Sequence, residues 1–433
     1  MAERGEALKS LALAASTMGG ALAARPVPLA LVVVAAACAL KAGRTLVLCG
    51  AAALVASSLG ARSAAALRVP IEAAQVDATV TLLTDPAPAL GGTQRATVLL
   101  GHHHLDAWAR KDAAAALAPR LAGERVRVTG VVRALPDKAR PFLAPKHIVG
   151  RLSVSTVDEP REGNVASRLA NAVRRDLTRG AASLPDQQRA LFLGFVLGDG
   201  RGQSPETKQA FRDSGLTHLL VVSGENVAFV LVVAGPLLRL LGMRGRLLAG
   251  FAVLFLFGVL TRWEPSVLRA EAMAALAMTA VTLGRRAPPL RLLALAVSGL
   301  VLIDPQLVHS VGFLLSVGAC AGIALLAKPL TARLPGPRPL AEALAITTAA
   351  QVGVAPILMN VFGGVPVASL PANLLAIPAA GPIMVWGMTA GLVAGLVPAP
   401  IAVVLHLPTR ALLWWVAAVA HRCASLPLGH VGG

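Results

Sequence analysis

A long uncharged stretch constrains what this chain can fold into more than any other feature. Between Ala343 and Thr409 the sequence contains no Asp, Glu, Lys or Arg over 67 residues. A helix needs only about 20 apolar residues to cross a bilayer. Charged residues make up 14% of the chain, whereas an average soluble domain has about 25%. These observations exclude a soluble single domain, a disordered chain and a disulfide scaffold, and they predict a polytopic α-helical membrane protein.

The first part of the chain contains three short apolar runs, at 11–24, 28–40 and 45–60. Lys41 and Arg44 separate the second run from the third. If the N-terminus is inside, three crossings place this basic pair inside as well, as the positive-inside rule requires, and the next segment outside. We therefore predict transmembrane helices over 1–60. The alternative is a cleaved signal peptide over 1–24, because the segment 21–23 resembles a cleavage site.

Residues 61–165 have a different character, with more charge and a hydropathy period close to two. The segment Arg125-Val126-Arg127-Val128-Thr129 alternates between polar and apolar residues, which is typical of a half-exposed strand. About five short strands in roughly 90 residues predict a small β-barrel, OB-like in type, on the extracytoplasmic side. The other candidate strands lie at 75–84, 94–101 and 142–157.

Residues 166–185 form the next predicted segment, with a basic amphipathic helix over 166–182. Leu169, Val173 and Leu177 share one face of this helix, and its arginines, Arg174 among them, lie largely off that face. Such a helix can lie along a membrane surface. An ordinary solvated helix is the alternative.

Residues 186–425 are apolar again and are predicted to form a membrane core, with 426–433 as a short tail. Several of its candidate spans are short or contain Gly and Pro. Broken helices at membrane depth are tolerated only where backbone lines a cavity or is buried in protein, which favours a transporter or channel over a simple anchor. The candidate spans are 216–241, 247–261, 264–284, 289–303, 306–327 and 343–363, with two or three more up to about 420.

Polar residues within this apolar part are candidate functional residues. Polar and ionisable groups in a membrane are costly, so their presence indicates a function. The candidates are Asp199, His218, Ser223, Glu225, Asn226, Arg269, Asp304, Ser316 and Asn373.

Four motifs contain most of these residues, and together they resemble the ComEC competence-protein family. Members of this family import single-stranded DNA through the bacterial inner membrane. The resemblance implies a multi-pass channel for DNA uptake during natural transformation, an OB-like domain outside the membrane, and the nine polar residues along the DNA path. The motifs are FRDSGLTHLLVVSGENV (Phe211 to Val227), PSVLRA (Pro265 to Ala270), DP with GFLLS (Asp304 to Ser316) and ANLLAIP (Ala372 to Pro378).

Two features differ from the family pattern. Many members carry a metallo-β-lactamase-like nuclease domain after the membrane core, whereas this sequence stops at Gly433. We therefore expect the domain to be lacking and a separate nuclease to be needed. Glu225 stands where other members often have a neutral residue. Arg269 is a candidate partner for Glu225 or for Glu271, and contact with DNA phosphate is the other interpretation of this arginine.

Binding of DNA by the outer domain would depend on charge. Between 61 and 165 the only large aromatic residues are Trp108 and Phe142, and the chain has no Tyr. Base stacking is therefore limited, and binding should be strongly salt-sensitive. A spacer domain with ordinary surface charge is the alternative. The candidate DNA-binding residues are Arg95, Arg125, Arg127, Arg133, Lys138 and Arg140.

A histidine-rich segment resembles the start of a two-metal hydrolase motif. His102-His103-His104-Leu105-Asp106 matches H-x-H-x-D, but Ala107 stands where the next His is expected. We expect an exposed loop there, with no metal, no cofactor and no enzymatic activity. The sequence also lacks the phosphate-binding motif G-x-x-x-x-G-K-[ST], so no motor is evident.

The expected partners follow from the absence of a motor motif and from the expected lack of a nuclease domain. A channel without a motor or nuclease requires single-stranded DNA, membrane lipids, an extracytoplasmic DNA receptor, a cytosolic ATPase motor and a separate nuclease, and the oligomeric state stays open. Three alternatives remain at this point. They are a small-molecule or lipid transporter on a related core, a membrane hydrolase that uses the histidine cluster, and a truncated, non-functional relative.

Overall fold

The computed structural model describes residues 2–26, 44–68, 71–285, 288–366, 368–426 and 430–431. The apolar run predicted at 28–40 lies outside these residues. The chain divides into two compact units, which we describe separately. The sheet unit comprises Ala12–Ala172 and Ser298–Ser310, and the helical unit comprises Met1–Leu11, Val173–Val297 and Val311–Gly433.

The sheet unit begins with two helices, α1 (Ala2–Ala23, whose first turns belong to the helical unit) and α2 (Arg44–Ala66). A Cβ atom at Gly60 would lie 2.8 Å from the Ala21 carbonyl oxygen, so the two backbones are in direct contact. The small residues of these segments permit that approach, as is common between helices in membranes.

Six strands form one sheet in the order β1-β5-β6-β4-β3-β2, and β1 also pairs with β3 through Thr81–Leu99 and Leu82–Val98. The β4–β6 pair is parallel and the other pairs are antiparallel. A short helix, α3 (Lys111–Leu117), lies between β4 and β5 in the chain. The strands are β1 (Ala74–Leu82), β2 (Ala87–Ala89), β3 (Thr93–Leu100), β4 (His103–Ala109), β5 (Arg125–Ala134) and β6 (Ile148–Arg161).

The alternation that predicts a strand at Arg125–Thr129 is present in β5. Val126 and Val128 are buried in the core of the sheet, and Arg125 and Arg127 are exposed. This pattern arises because successive side chains of a strand point to opposite faces. The core is completed by apolar residues of the other strands and by Leu117 of α3.

The second segment of the sheet unit, Ser298–Ser310, is attached to the sheet by a side-chain hydrogen bond. Asp304 caps the short 3₁₀ turn Pro305–His309 by accepting from the Gln306 N–H at 2.9 Å. The other carboxylate oxygen of Asp304 lies 3.0 Å from His147 Nε2. His147 follows the 3₁₀ turn Ala144–Lys146, just before β6.

This bond gives the sheet unit a pH-dependent contribution to stability. The hydrogen bond to Asp304 raises the pKa of His147 above its ordinary value near 6.5. The contribution is therefore complete below the unfolded-state pKa and is lost as the pH rises through the higher folded-state pKa. The His147 side chain is 39% exposed, so the bond is worth about 1 kcal/mol or less. We expect His147→Gln to destabilise the protein at acidic pH and to approach wild-type stability at alkaline pH, as measured by unfolding free energies. A pH-independent difference, or the same profile in the exposed His103→Gln, would contradict this assignment.

The helical unit contains most of the long helices. Two helices come before these in the chain. The four-residue α4 (Arg140–Leu143) belongs to the sheet unit, and α5 (Val165–Gly180) begins in the sheet unit and ends in the helical unit. The helical unit also contains two short strands, β7 (Val365–Pro366) and β8 (His430–Val431), which pair with each other. The helices are α6 (Asp186–Leu197), α7 (Pro205–Asp213), α8 (Gly224–Arg239), α9 (Met243–Leu260), α10 (Pro265–Thr282), α11 (Pro289–Ile303, shared with the sheet unit), α12 (Val311–Thr331), α13 (Arg338–Phe362), α14 (Ser369–Leu396), α15 (Ala399–Leu405) and α16 (Leu407–Ala424).

Five described helices are long and apolar enough to cross a membrane, and a sixth span results if α15 and α16, bent by 53°, are counted together. The prediction of a largely helical, multi-pass membrane protein with a small sheet domain is confirmed. The five segments are Val47–Ala66, Met243–Leu260, Val311–Thr331, Arg338–Phe362 and Ser369–Leu396.

Helices α12 and α13 are in backbone contact through glycines. A Cβ atom at Gly318 would lie 2.7 Å from the Gly353 carbonyl oxygen, and a Cβ atom at Gly353 would overlap the Gly318 carbonyl oxygen. Gly322, one turn beyond Gly318, lies against the same part of α13. Glycine is required at these positions because any side chain would separate the two helices.

Candidate functional site

A buried arginine of α5 connects the ends of two other helices. Arg174 is 3% exposed, and its Nη1 donates to the carbonyl oxygens of Leu197 at 3.0 Å and Leu260 at 2.8 Å. These carbonyls end α6 and α9, where backbone acceptors lack partners within the helix. The prediction that Arg174 lies off the packed face of α5 is therefore wrong, because the hydropathy pattern treats every arginine as a surface residue.

Asp199 is the acidic partner of this arginine. Its carboxylate lies 3.6 Å from Arg174 Nη2 and accepts from Arg201 Nε at 2.8 Å and Arg201 Nη2 at 2.6 Å. The preceding Gly198 has a φ of 69°, a left-handed conformation that glycine adopts at low cost and that ends α6. Asp199 therefore lies in a buried ion-pair network, and its place on a DNA path stays a prediction.

The start of α8 is held in place by side chains of its own motif. Ser223 caps the helix by accepting from the Glu225 N–H at 3.2 Å. Asn226 Nδ2 donates to the Phe195 carbonyl of α6 at 3.0 Å. Ser266, at the start of α10, donates to the Val222 carbonyl at 3.1 Å. The turn before α8 is therefore fixed against both α6 and α10.

Arg269 of α10 lies directly against this helix start. It is 5% exposed, its Nε donates to Ser316 Oγ of α12 at 2.8 Å, and its Nη1 lies 3.0 Å from Met273 Sδ. A Cβ atom at Gly224 would overlap Arg269 Nη2, so glycine is required at the first residue of α8. We call Ser223, Gly224, Glu225, Asn226, Arg269 and Ser316 the Arg269 cluster.

No acidic residue pairs with Arg269 among the described residues. The interpretation that it neutralises Glu225 or Glu271 is therefore wrong for this structure. Glu225 is exposed and has no ion-pair partner in the described part of the chain. Glu271 is 6% exposed, and its Oε1 has no hydrogen-bond partner there. The cluster consequently has a buried positive charge without a counter-charge.

The structure brings five of the nine predicted path residues into this cluster: Ser223, Glu225, Asn226, Arg269 and Ser316. Among the described residues, no hydrogen bond or ion pair joins the other four to it. His218 is exposed on the 3₁₀ turn Thr217–Leu220. Asn373 has a buried Oδ1 without a partner in the described chain. Asp199 and Asp304 have the partners given above.

A cleft of about 220 Å³ lies elsewhere in the helical unit, between the start of α6 and the start of α7. None of the nine predicted path residues lines it. Its walls are formed by Asp186, Gln187, Ala190, Leu191, Gly202, Gln203, Ser204 and Thr207.

The outward face of β3, β4 and β6 contains an aromatic and basic cluster centred on Trp108. The ring Nε1 donates to Asp106 Oδ2 at 2.7 Å, and the guanidinium carbons of Arg95 and Arg151 lie 5.2 and 5.1 Å from the ring centroid. Both distances are typical of cation–π contacts. Asp106 is 1% exposed and lies 2.6 Å from Arg95 Nε and 3.7 Å from Arg151 Nη2.

The sequence predicts an exposed loop for the histidine-rich segment, and this prediction is wrong. His103–Ala109 is strand β4, and the carboxylate of Asp106 is engaged by two arginines and a tryptophan. The described residues contain no group of three His, Cys, Asp or Glu side chains that could hold a metal ion.

Arginines face each other across β5 and β6. Arg125 lies opposite Arg161, and Arg133 lies opposite Arg151. Arg161 and Arg151 have carboxylate neighbours, Glu159 at 3.1 Å for the former, whereas Arg125 and Arg133 have no ion pair among the described residues. Like charges directly opposite each other destabilise a sheet. Arg125 and Arg133 are therefore the members of these two pairs whose charge no described carboxylate neutralises.

The other predicted basic residues differ in whether an acidic side chain pairs with them. Arg127 forms a two-pronged pair with Asp77 at 2.8 and 3.0 Å, and this hydrogen bond lowers the pKa of Asp77 below its ordinary value. Arg140 lies 4.0 Å from Asp137. Lys138 is exposed in the same turn. Arg151 and Arg161 were not predicted, because naming them requires the β5–β6 register.

Comparison with known proteins points to one family. A family model described as "Competence protein" matches residues 195–432, which include the Arg269 cluster. ComE operon protein 3 of Bacillus subtilis strain 168 is 24% identical over 240 residues, 55% of this chain and 30% of that protein. The uncharacterized protein YcaI of Escherichia coli strain K12 is 28% identical over 211 residues, 45% of this chain and 28% of that protein.

A third relative, an uncharacterized protein of Aquifex aeolicus strain VF5, is 30% identical over 173 residues, 40% of each chain. In all three cases the match spans less than half of the relative's length. No solved structure matches this chain.

Proposed function

This chain belongs to the competence protein family, and we propose on that basis that it is a channel for the uptake of single-stranded DNA across the bacterial inner membrane during natural transformation. The observation that carries the proposal is the family match over residues 195–432. That range contains α8 to α16, together with the Arg269 cluster.

The charges of the loops support a defined orientation in the membrane. Basic residues occur at every second connection between α8 and α14, and the connections between these are neutral or acidic. If each helix from α8 to α14 crosses the membrane, the shorter α8, α10 and α11 included, the positive-inside rule assigns the basic connections to the cytoplasm. The basic connections contain Arg239, Arg244 and Arg246, then Arg285 and Arg291, and then Lys328, Arg333 and Arg338.

The sheet domain belongs on the opposite, extracytoplasmic side by this rule. Helix α11 begins near the basic Arg291 and ends at Asp304. Asp304 is hydrogen-bonded to His147 of the sheet domain. The acidic end of α11, which the rule assigns to the outside, is therefore part of the sheet unit.

We infer that the sheet closes into an OB-like barrel. The pairing of β1 with β3 joins the two sides of the order β1-β5-β6-β4-β3. The parallel β4–β6 pair and the helix between β4 and β5 are also typical of this fold. If the short β2 is set aside, β3 and β4 correspond to the second and third barrel strands, whose face binds oligonucleotides in OB folds.

DNA on this face would be held by charge more than by base stacking. Trp108 already has two guanidinium groups in contact with its ring, so the ring is a poor platform for a base. Arg125, Arg133 and Arg161 lie on the outward face without burial. Phosphates of a single strand would relieve their mutual repulsion and release counterions.

Uptake through this chain would need an external driving force. Moving one phosphate charge against a potential of about 100 mV costs about 2.3 kcal/mol. We propose that the chain is a conduit and not an enzyme, and that a cytosolic ATPase, an extracytoplasmic DNA receptor and a separate nuclease act with it.

The proposal predicts that transformation depends on this gene and on the basic face. In a transformable host, deletion should reduce transformation to background, and the wild-type gene should restore it. The triple variant R125S/R133S/R161S should restore it poorly. In the purified full chain, the slope of log affinity for a dT oligonucleotide against log salt should fall by about 2, because three phosphate contacts are lost at about 0.7 each.

The matched control is the double variant D77S/R127S, which removes an exposed arginine together with its paired carboxylate and leaves the net charge unchanged. It should behave as wild type in both assays. Normal transformation of the deletion strain would refute the proposed function. Equal effects of the triple and double variants would refute the role of the basic face.

A further inference from the structure

The Arg269 guanidinium is a buried charge whose described partners are all neutral. It is 5% exposed, and its contacts are a serine hydroxyl at 2.8 Å and a methionine sulfur at 3.0 Å. A buried charge is tolerated when it is paired, and an uncompensated one is strongly destabilising. Its third nitrogen, Nη2, has no hydrogen-bond partner among the described residues and lies against Gly224.

Gly224 is the first residue of a 16-residue helix, so Nη2 faces the positive end of the α8 dipole. A helix N-terminus with free N–H groups favours anions. Here the Arg269 guanidinium lies at the N-terminus of α8, so its positive potential adds to that of the helix dipole. The absence of a side chain at Gly224 lets Arg269 Nη2 reach the backbone at the start of the helix.

Three hydrogen bonds keep this geometry in place. Ser316 fixes the guanidinium from α12, Ser266 fixes the start of α10 on the Val222 carbonyl, and Asn226 fixes the start of α8 on the Phe195 carbonyl. The positive groups are therefore held together by neutral hydrogen-bond partners before any anion arrives, which is the arrangement that a preorganised binding site requires.

We propose that Arg269 and the N-terminus of α8 form a binding site for one phosphate-type oxyanion, for which the exposed Glu225 carboxylate competes. The inference rests on the proposed function only for the natural source of the anion, which is then a phosphodiester of the passing DNA strand. Glu225 follows Gly224 directly and has no ion-pair partner in the described chain. A bound anion and an ionised Glu225 repel each other.

The test uses the full chain in phosphatidylcholine nanodiscs, with thermal unfolding followed at constant ionic strength. Inorganic phosphate and sulfate should raise the unfolding midpoint more than chloride does. Arg269→Gln should weaken the apparent phosphate affinity about tenfold or more, as expected for the loss of a charge-assisted hydrogen bond. Glu225→Gln should strengthen it several-fold. Arg239→Gln, which removes an exposed arginine at the other end of α8, should leave it unchanged.

If Arg269→Gln fails to fold, the variant Gly224→Ala provides a second test of the phosphate site. It removes no charge and adds one methyl group where Nη2 now lies, so it should also weaken phosphate binding about tenfold. The site is refuted if wild-type protein responds equally to phosphate and chloride, or if Gly224→Ala binds phosphate as tightly as wild type.

Two further arms distinguish the sources of the anion. Displacement of phosphate by a dT oligonucleotide indicates the DNA backbone, and loss of the phosphate response in phosphatidylglycerol nanodiscs indicates a lipid headgroup; both results support the site. The proposed function is judged separately by transformation of the deletion strain. If the protein does not bind phosphate but transformation still depends on the gene, the site is refuted and the proposed function is retained.

Discussion

We expect Arg174→Met to lower the free energy of unfolding by about 3 kcal/mol or more. The substitution keeps a long aliphatic side chain but removes the donor that satisfies the last carbonyls of α6 and α9. It also removes one of the two cations beside the buried Asp199. Buried acceptors and a buried carboxylate would then lose partners that water cannot replace. Chemical denaturation of the purified protein in detergent measures the change.

The control for this prediction is Arg168→Met in the same helix. Arg168 is 51% exposed and lies 3.4 Å from the exposed Glu162. Surface pairs of this kind contribute about 1 kcal/mol or less. If the two substitutions cost the same, the buried network around Arg174 has no special role in stability.

We expect Gly353→Ala to destabilise the protein by about 1–3 kcal/mol, the range of overpacking in a close-packed core. The new methyl group would overlap the backbone of α12 at Gly318 and would lie 3.1 Å from the Gly322 Cα. Backbone atoms cannot rotate away, so the two helices must separate and lose contacts along their length. Unfolding in detergent measures the loss.

Gly299→Ala in α11 is the matched control, because a Cβ atom there has no neighbour within 4 Å. Alanine favours a helix over glycine by up to about 1 kcal/mol. Gly299→Ala should therefore be neutral or slightly stabilising. A destabilisation as large as that of Gly353→Ala would mean that helix propensity, and not the contact between α12 and α13, determines the result.

Local signals in the sequence predict several elements closely. The span predicted at 289–303 is α11, whose start is marked by Pro289 and whose end is marked by the Asp304-Pro305 pair that follows it. The span predicted from 216 begins only at Gly224 as a helix. Ser223 caps it there, and a 3₁₀ turn takes the preceding residues. Hydropathy averages over such a boundary and cannot detect it.

The Arg269 cluster could be predicted as a set of residues but not as an arrangement. Arg269 and Ser316 are 47 positions apart, and Arg174 reaches a carbonyl 86 positions away. No periodicity within one helix encodes these distances. The expected pairing of Arg269 with an acidic residue followed from charge alone, and charge does not indicate that Gly224 leaves room for the guanidinium.

The strand pairing in the sheet unit has a consequence for recognition. Most strands of the described sheet have a neighbour on each side, but β1 pairs with β3 only through Thr81 and Leu82, so Ala74–Val80 has no described neighbour on that side. An incoming polypeptide in extended conformation thus finds backbone hydrogen-bonding groups to join along Ala74–Val80, so this edge of the sheet is open to β-augmentation.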